Sequence, residues 1–214
     1  MDFLDEDLQR YAEDHTSAES ELLHKVNRQT HLNVLKPRML SGHLQGRLLA
    51  MFSKMIRPKQ ILEVGTYTGY SALCLAEGLQ PGGTLHTIDK NEELEERVLG
   101  YMAEAGLQNS IKLYIGNALE IIPTIDATFD MVFLDADKAN YTNYYDLVFD
   151  KVAPGGYILA DNVLWSGKVL EKFRKKLDKD TAAVIAFNEK VQNDARVENI
   201  LLPIRDGLLV ARKL

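Results

Sequence analysis

From residue 60 onward, short apolar runs alternate with stretches of helical periodicity, and few folds accept that order. The runs are Ile61–Val64, Thr84–Ile88, Ile111–Ile115, Met131–Leu134 and Tyr157–Ala160. Each is too short for a helix and nearly all apolar, as in parallel strands covered on both faces. Between them, Ser71–Leu79, Glu92–Ala105 and Tyr141–Val152 have the length of crossover helices. Asn91 can cap the second, and the acids from Glu92 to Glu96 suit the positive end of its dipole. This β-α-β-α order predicts a doubly wound α/β sheet. At the C-terminus the order breaks. Val197–Ile204 and Leu208–Lys213 flank Arg205-Asp206-Gly207, and an Asp-Gly turn between apolar runs signals a hairpin. The expected fold is a Rossmann-like α/β sheet of seven strands, mostly parallel, ending in that antiparallel hairpin.

The first sixty residues read as helical. Thr16 and Glu19 have capping-box spacing ahead of Leu22, Leu23 and Val26. From Ser41 to Ile56, Leu44, Leu48, Met51, Phe52 and Met55 recur at helical spacing, predicting one buried face, and Pro58 ends the run. Residues 1–58 are thus a helical extension of an α/β core over 59–214, within one domain of 214 residues. Lys and Arg number 25 against 31 Asp and Glu, a net charge of −6 that disfavours wholesale binding to a phosphate backbone. One cysteine, Cys74, sits among Leu73, Leu75 and Ala76; it reads as a buried apolar residue and fits a reducing, cytoplasmic setting. No apolar run approaches the roughly 20 residues of a membrane span. The acidic start MDFLDEDLQR is unlike a signal peptide.

The first strand runs into Glu63-Val64-Gly65-Thr66-Tyr67-Thr68-Gly69-Tyr70-Ser71. Glycine at a strand-to-helix turn lets a ligand approach the backbone closely. The middle glycine of G-x-G-x-x-G, which admits a pyrophosphate, is missing, so NAD is disfavoured. Glu63 adds a negative charge that suits a cationic ligand, and S-adenosylmethionine carries both a sulfonium and an ammonium. Asp89, 24 residues after Gly65, ends the second strand, where a carboxylate can accept both ribose hydroxyls of a nucleoside.

The fourth strand ends Asp135-Ala136-Asp137-Lys138 and the fifth Asp161-Asn162. Ligands of open α/β sheets bind beyond the carboxyl ends of the strands, so Asp135 and Asp161 are expected in the crevice that the glycine loop lines. Two carboxylates and an amide are hard donors, suited to Mg²⁺, Ca²⁺ or Mn²⁺ and not to Zn²⁺. The plainer alternative has Asp161 capping a helix, Asn162 in a turn and Asp137 in solvent. Lys138, three residues after Asp135, is either a base in the crevice or an ordinary surface lysine.

Taken in order, LEVGTYTGYS, TIDK, GNALE, FLDADKANY and ADNVLW resemble the cation-dependent S-adenosylmethionine O-methyltransferases, the caffeoyl-CoA and catechol O-methyltransferase-like enzymes. The resemblance covers roughly residues 35–214, and LDADK followed 26 residues later by DN is its specific part. It implies a class I methyltransferase fold and a homodimer. It implies that Glu63, Gly65, Thr66 and Ser71 line the methionine part of the cofactor, Asp89 the ribose and Ala118 the adenine. Asp137 would meet the amino group; Met39, Tyr67, Tyr144 and Asp135 complete the cofactor-facing set. Asp135, Asp161 and Asn162 would hold a divalent cation, Mg²⁺ first, and Lys138 with Asp135 would be catalytic. Trp165 and Ser166 would face the acceptor.

Two departures separate this chain from the plant caffeoyl-CoA enzymes. Ser166, not Asn, follows Trp165, and their N-terminal substrate-binding lysine has no match. A free catechol-type small aromatic acceptor is therefore expected. Aromatics near the strand ends, Tyr67, Tyr141, Tyr144, Tyr145 and Trp165, offer a substrate wall, Trp165 foremost, while Tyr144 and Tyr145 equally fit helix packing. Two rivals remain. The resemblance also implies a hydroxylated uridine in tRNA as an alternative acceptor, and the basic stretch Lys168, Lys172, Arg174, Lys175, Lys176 and Lys179 fits it, although Glu171, Asp178 and Asp180 intersperse it. The other is a nucleotide-binding module without catalysis.

Overall fold

The computed structural model describes residues 5–214; residues 1–4, the start of the acidic N-terminal stretch, lie outside the described residues. Helices α1 (Glu6–Asp14) and α2 (Glu21–Asn33) open on side-chain caps, Asp5 accepting from the Asp7 N–H and Ser20 from the Leu23 N–H. The Thr16–Glu19 capping box does not form. Ser20 stands one residue before the helix, while the Thr16 hydroxyl donates back to the Ala12 carbonyl at 2.7 Å.

Helix α3 (Gly42–Ile56) forms where its periodicity predicts, but it buries another face. Gln45, Gly46, Leu49, Ala50 and Ser53 point inward, whereas Met51 and Met55 are 57% and 72% exposed. The reason is close packing on α4 (Tyr70–Ala76). A Cβ at Gly46 would lie 2.5 Å from the Tyr70 ring, and the Ser53 hydroxyl donates to the Leu75 carbonyl. Small residues let two backbones approach, and that closeness outweighs hydrophobicity in choosing the face.

The strands are β1 (Gln60–Val64), β2 (Thr84–Asp89), β3 (Ile111–Ile115), β4 (Phe129–Leu134), β5 (Val152–Asp161), β6 (Val197–Leu202) and β7 (Leu208–Lys213). They form one seven-stranded sheet in the order β3-β2-β1-β4-β5-β7-β6. The first five pair in parallel; β7 runs antiparallel to both β5 and β6. Helices α5 (Glu95–Glu104), α6 (Ala118–Ile121) and α7 (Tyr141–Phe149) cover the sheet with α4. Helix α8 (Lys179–Gln192), absent from the sequence reading, buries Val184, Phe187 and Val191 behind an Asp178 cap.

Alternation along β1 sends Leu62 and Val64 to one face and Ile61 to the other, into two separate apolar clusters. Glu63 shares the parity of Ile61 and is wholly buried. The direction of strand addition reverses between β1 and β4. That switch point is where open α/β sheets leave a crevice, and it brings the loop after Val64 beside the loop after Leu134.

Candidate active site

Gly65 sits at φ +107°, and its N–H donates to the Ile88 carbonyl at 2.9 Å. A Cβ there would lie 2.1 Å from the Asp135 carbonyl oxygen, so the glycine loop is pressed onto the tip of β4. Tyr67, at φ +47°, donates its N–H to Asp89 Oδ2 at 2.6 Å, and Asn91 donates to Oδ1 at 2.9 Å. Two amides thus fix the Asp89 carboxylate at the end of β2. Behind the loop the Thr66 hydroxyl bonds Thr87, whose hydroxyl donates to Glu63 Oε2. Glu63 Oε1 has no partner among the described residues. Burial pushes the Glu63 carboxyl up to about 8; Ser71 and Thr87 oppose the rise, and the charges of Asp135 and Asp89 add to it. An orphaned acceptor on a buried acid beside an open-backbone loop fits a cationic ligand.

Ser71 and Ala118 are buried at the same carboxyl edge, Ala118 opening α6 behind the Asn117 cap. Met39 is 54% exposed in the turn Pro37–Met39. The Tyr67 hydroxyl anchors the preceding strap by donating to the Leu35 carbonyl at 3.0 Å.

At the second pair of tips, Lys138 Nζ lies 3.2 Å from Asp135 Oδ1, donates to the Tyr141 hydroxyl and is itself buried. The Tyr141 oxygen stands 2.9 Å from the Asp161 carbonyl, tying α7 to the end of β5. Asp161 is 4% exposed. Burial and then repulsion from Asp135 push its carboxyl up to about 6, against the attraction of Lys138. Asn162, at φ +58°, donates its N–H to Asp161 Oδ1 at 2.8 Å. Among the described residues no three His, Cys, Asp or Glu side chains gather as a metal group. The predicted ligand set has two carboxylates, with an amide as its third member. Asp137 accepts from the Tyr144 hydroxyl at 2.6 Å, joining two residues predicted to face the cofactor.

The loop after Asn162 is held from the hairpin. Ser166 donates its N–H to Asp206 Oδ1 and Leu164 to the Asp206 carbonyl. Trp165 is half-buried, its Nε1 without a partner among the described residues, and Ser166 is exposed. Tyr141 and Tyr145 are not wall residues: both are fully buried, edge-on to Phe187 at 5.3 and 6.1 Å. Two of the six basic residues are tied to their own loop, Arg174 bonding the Val169 carbonyl at 3.0 Å and Lys168 lying 3.8 Å from Asp178, while Lys172, Lys175, Lys176 and Lys179 are exposed. Two groups that the sequence reading missed adjoin Asp161, Gln45 on α3 and Arg205 in the hairpin turn.

Residues 13–214 match the family model described as O-methyltransferase. Caffeoyl-CoA O-methyltransferase 1 of Arabidopsis thaliana is 35% identical over 180 residues, spanning 79% of this chain and 70% of that one. The crystal structure of the SAH-bound methyltransferase PaMTH1 of Podospora anserina superposes with a TM-score of 0.90 at 26% identity, covering 100% of this chain and 98% of that one. The O-methyltransferase TomG of Streptomyces achromogenes, solved in complex with SAM, gives 0.87 at 30% identity, covering 97% and 96%. With the sheet order, the glycine loop and the acids at the strand tips, these matches establish that the chain belongs to the O-methyltransferase family, in the cation-dependent S-adenosylmethionine group that its motifs resemble.

Proposed function

We propose that the protein transfers a methyl group from S-adenosylmethionine to a hydroxyl of a catechol-type small aromatic acceptor, with a divalent cation, Mg²⁺ first, held by Asp135, Asp161 and Asn162. One observation carries the reading: a nearly buried Asp161 faces the charge of Asp135 at the switch-point crevice. Burial, and then repulsion from Asp135, raises its pKa and disfavours the ionised form. A cation would remove that penalty, and oxygen donors favour a hard one.

Glu63 would face the cofactor's cationic end and Asp89 its ribose. Gly65, Thr66, Tyr67 and Ser71 would shape that end, while Ala118, Met39, Asp137 and Tyr144 flank the remainder. When bound, the cofactor supplies the electrophilic methyl and the cation acidifies the acceptor hydroxyl. Lys138 Nζ, steadied by Asp135 and the Tyr141 hydroxyl, would take that proton when neutral, or hold the phenolate oxygen as an ammonium. Its burial keeps competing water away. Trp165 would stack on the aromatic ring, with Ser166 at its edge. Alignment of oxygen and methyl supplies much of the rate.

The test is labelled-methyl transfer from S-adenosylmethionine to catechols, flavonoids, hydroxycinnamates, caffeoyl-CoA and bulk tRNA, with and without EDTA. Transfer to free catechols, lost in EDTA and restored by Mg²⁺, is expected. Full activity in the chelator removes the cation, and transfer to tRNA alone replaces the acceptor.

A further inference from the structure

The hairpin turn and the N-terminal helices meet at one buried amide. Gln45, on the inward face of α3, is 3% exposed. Arg205, from the β6–β7 turn, donates Nη1 to Gln45 Oε1 at 2.6 Å and Nη2 to the Leu40 carbonyl at 3.3 Å. A guanidinium has donors only, so it fixes which end of the amide is oxygen and turns Nε2 the other way. That nitrogen is buried and completes no hydrogen bond among the described residues. The turn that clamps this amide runs, three residues on, into Leu208, which pairs with Asp161 across the β5–β7 ladder, so Gln45 is held from the strand beside Asp161; its amide favours the charged form of that carboxyl. Two contacts reaching back 160 and 165 residues in sequence therefore end on one unused N–H beside the tip of β5.

We infer that Gln45, locked by Arg205, is the positioning residue for the Asp161 carboxylate, its free Nε2–H reserved for whichever Asp161 oxygen does not face the cation. The inference rests on the cation reading of the preceding section. An unpartnered buried donor is costly, and the cost is relieved when a carboxylate oxygen turns toward it. Outer-shell bonds of this kind orient metal-binding carboxylates and tune their affinity. The arrangement also gives the helical extension a part in the site: α3 supplies the orienting amide, and the hairpin turn supplies the clamp on that amide.

The test measures Mn²⁺ binding alone by electron paramagnetic resonance, and S-adenosylhomocysteine binding by calorimetry, on the full chain. Gln45→Met removes the donor and keeps the length; roughly 10- to 100-fold weaker Mn²⁺ binding is expected. S-adenosylhomocysteine affinity should stay within about twofold, which general loosening of the fold would not allow. Arg205 is exposed, so Arg205→Met tests the same relay without disturbing the core. It should weaken Mn²⁺ binding several-fold, and Arg205→Lys should recover part of the loss. Unchanged Mn²⁺ affinity in Arg205→Met and in folded Gln45→Met overturns the inference while leaving the cation reading intact. A wild-type chain that binds no Mn²⁺ overturns both.

Discussion

Glu63 gives the sharpest stability prediction. Its carboxyl is fully buried and pushed from the usual 4.5 up to about 8, chiefly by burial. The folded chain therefore keeps a proton that the unfolded chain releases between these values. Stability from this source is complete below pH 4.5, falls as pH climbs to 8 and is level beyond. Asp161 and His86 have shifts that reach into this range. Asp161, raised from 3.8 to about 6, adds a fall that ends near pH 6. His86, lowered from 6.5 to about 4 by burial and then by Lys112, works in the opposite direction below pH 6.5. The interval from pH 6.5 to 8 therefore isolates Glu63. One proton gives about 1.4 kcal/mol per pH unit, so ligand-free protein should lose about 2 kcal/mol across it. For a chain of this size that is a fall in Tm of about 4–8 °C. Urea and thermal melts at pH 6.5, 7, 7.5 and 8 measure it. Glu63→Gln keeps the side-chain length and an oxygen for Thr87, and its profile should be flat there. The same slope in wild type and Glu63→Gln would refute the assignment of the proton to Glu63.

Three further outcomes are expected. Gly65→Ala places a Cβ 2.1 Å from the Asp135 carbonyl oxygen at positive φ, so S-adenosylhomocysteine binding by calorimetry should disappear. Tyr141→Phe removes the hydroxyl joining Lys138 to the Leu134 and Asp161 carbonyls, and urea unfolding should show a loss of about 1–3 kcal/mol. Asp161→Ala should lower labelled-methyl turnover far more than S-adenosylhomocysteine affinity, whereas an equal loss of both would indicate damage to the fold.

The parallel strands and the glycine loop are legible in the sequence because both follow local rules: apolar runs of strand length and a turn needing positive φ at Gly65. Asp89, Asp135 and Asp161 are legible because each ends such a run. What is hidden depends on which surfaces meet. Helix α3 buries Gln45, Gly46 and Ser53 and exposes two methionines because α4 lies close against it, and periodicity carries no trace of that neighbour. Arg205 meets Gln45 only through the fold, 160 residues away. Helix α8 was findable: Val184, Phe187 and Val191 have helical spacing behind Asp178, but the preceding charges draw attention to a solvated stretch. The tyrosines of α7 stand near the strand ends, yet Phe187 of α8 closes over two of them and makes them core.

In the proposed function, Asp135 and Asp161 share one divalent cation beside the cofactor loop. Anomalous diffraction from crystals grown with Mn²⁺ and S-adenosylhomocysteine tests it most directly. A single strong peak within about 2.0–2.3 Å of oxygens from Asp135, Asp161 and Asn162 is expected. A peak elsewhere, or none at saturating Mn²⁺ with Lys138 still paired to Asp135, would contradict it.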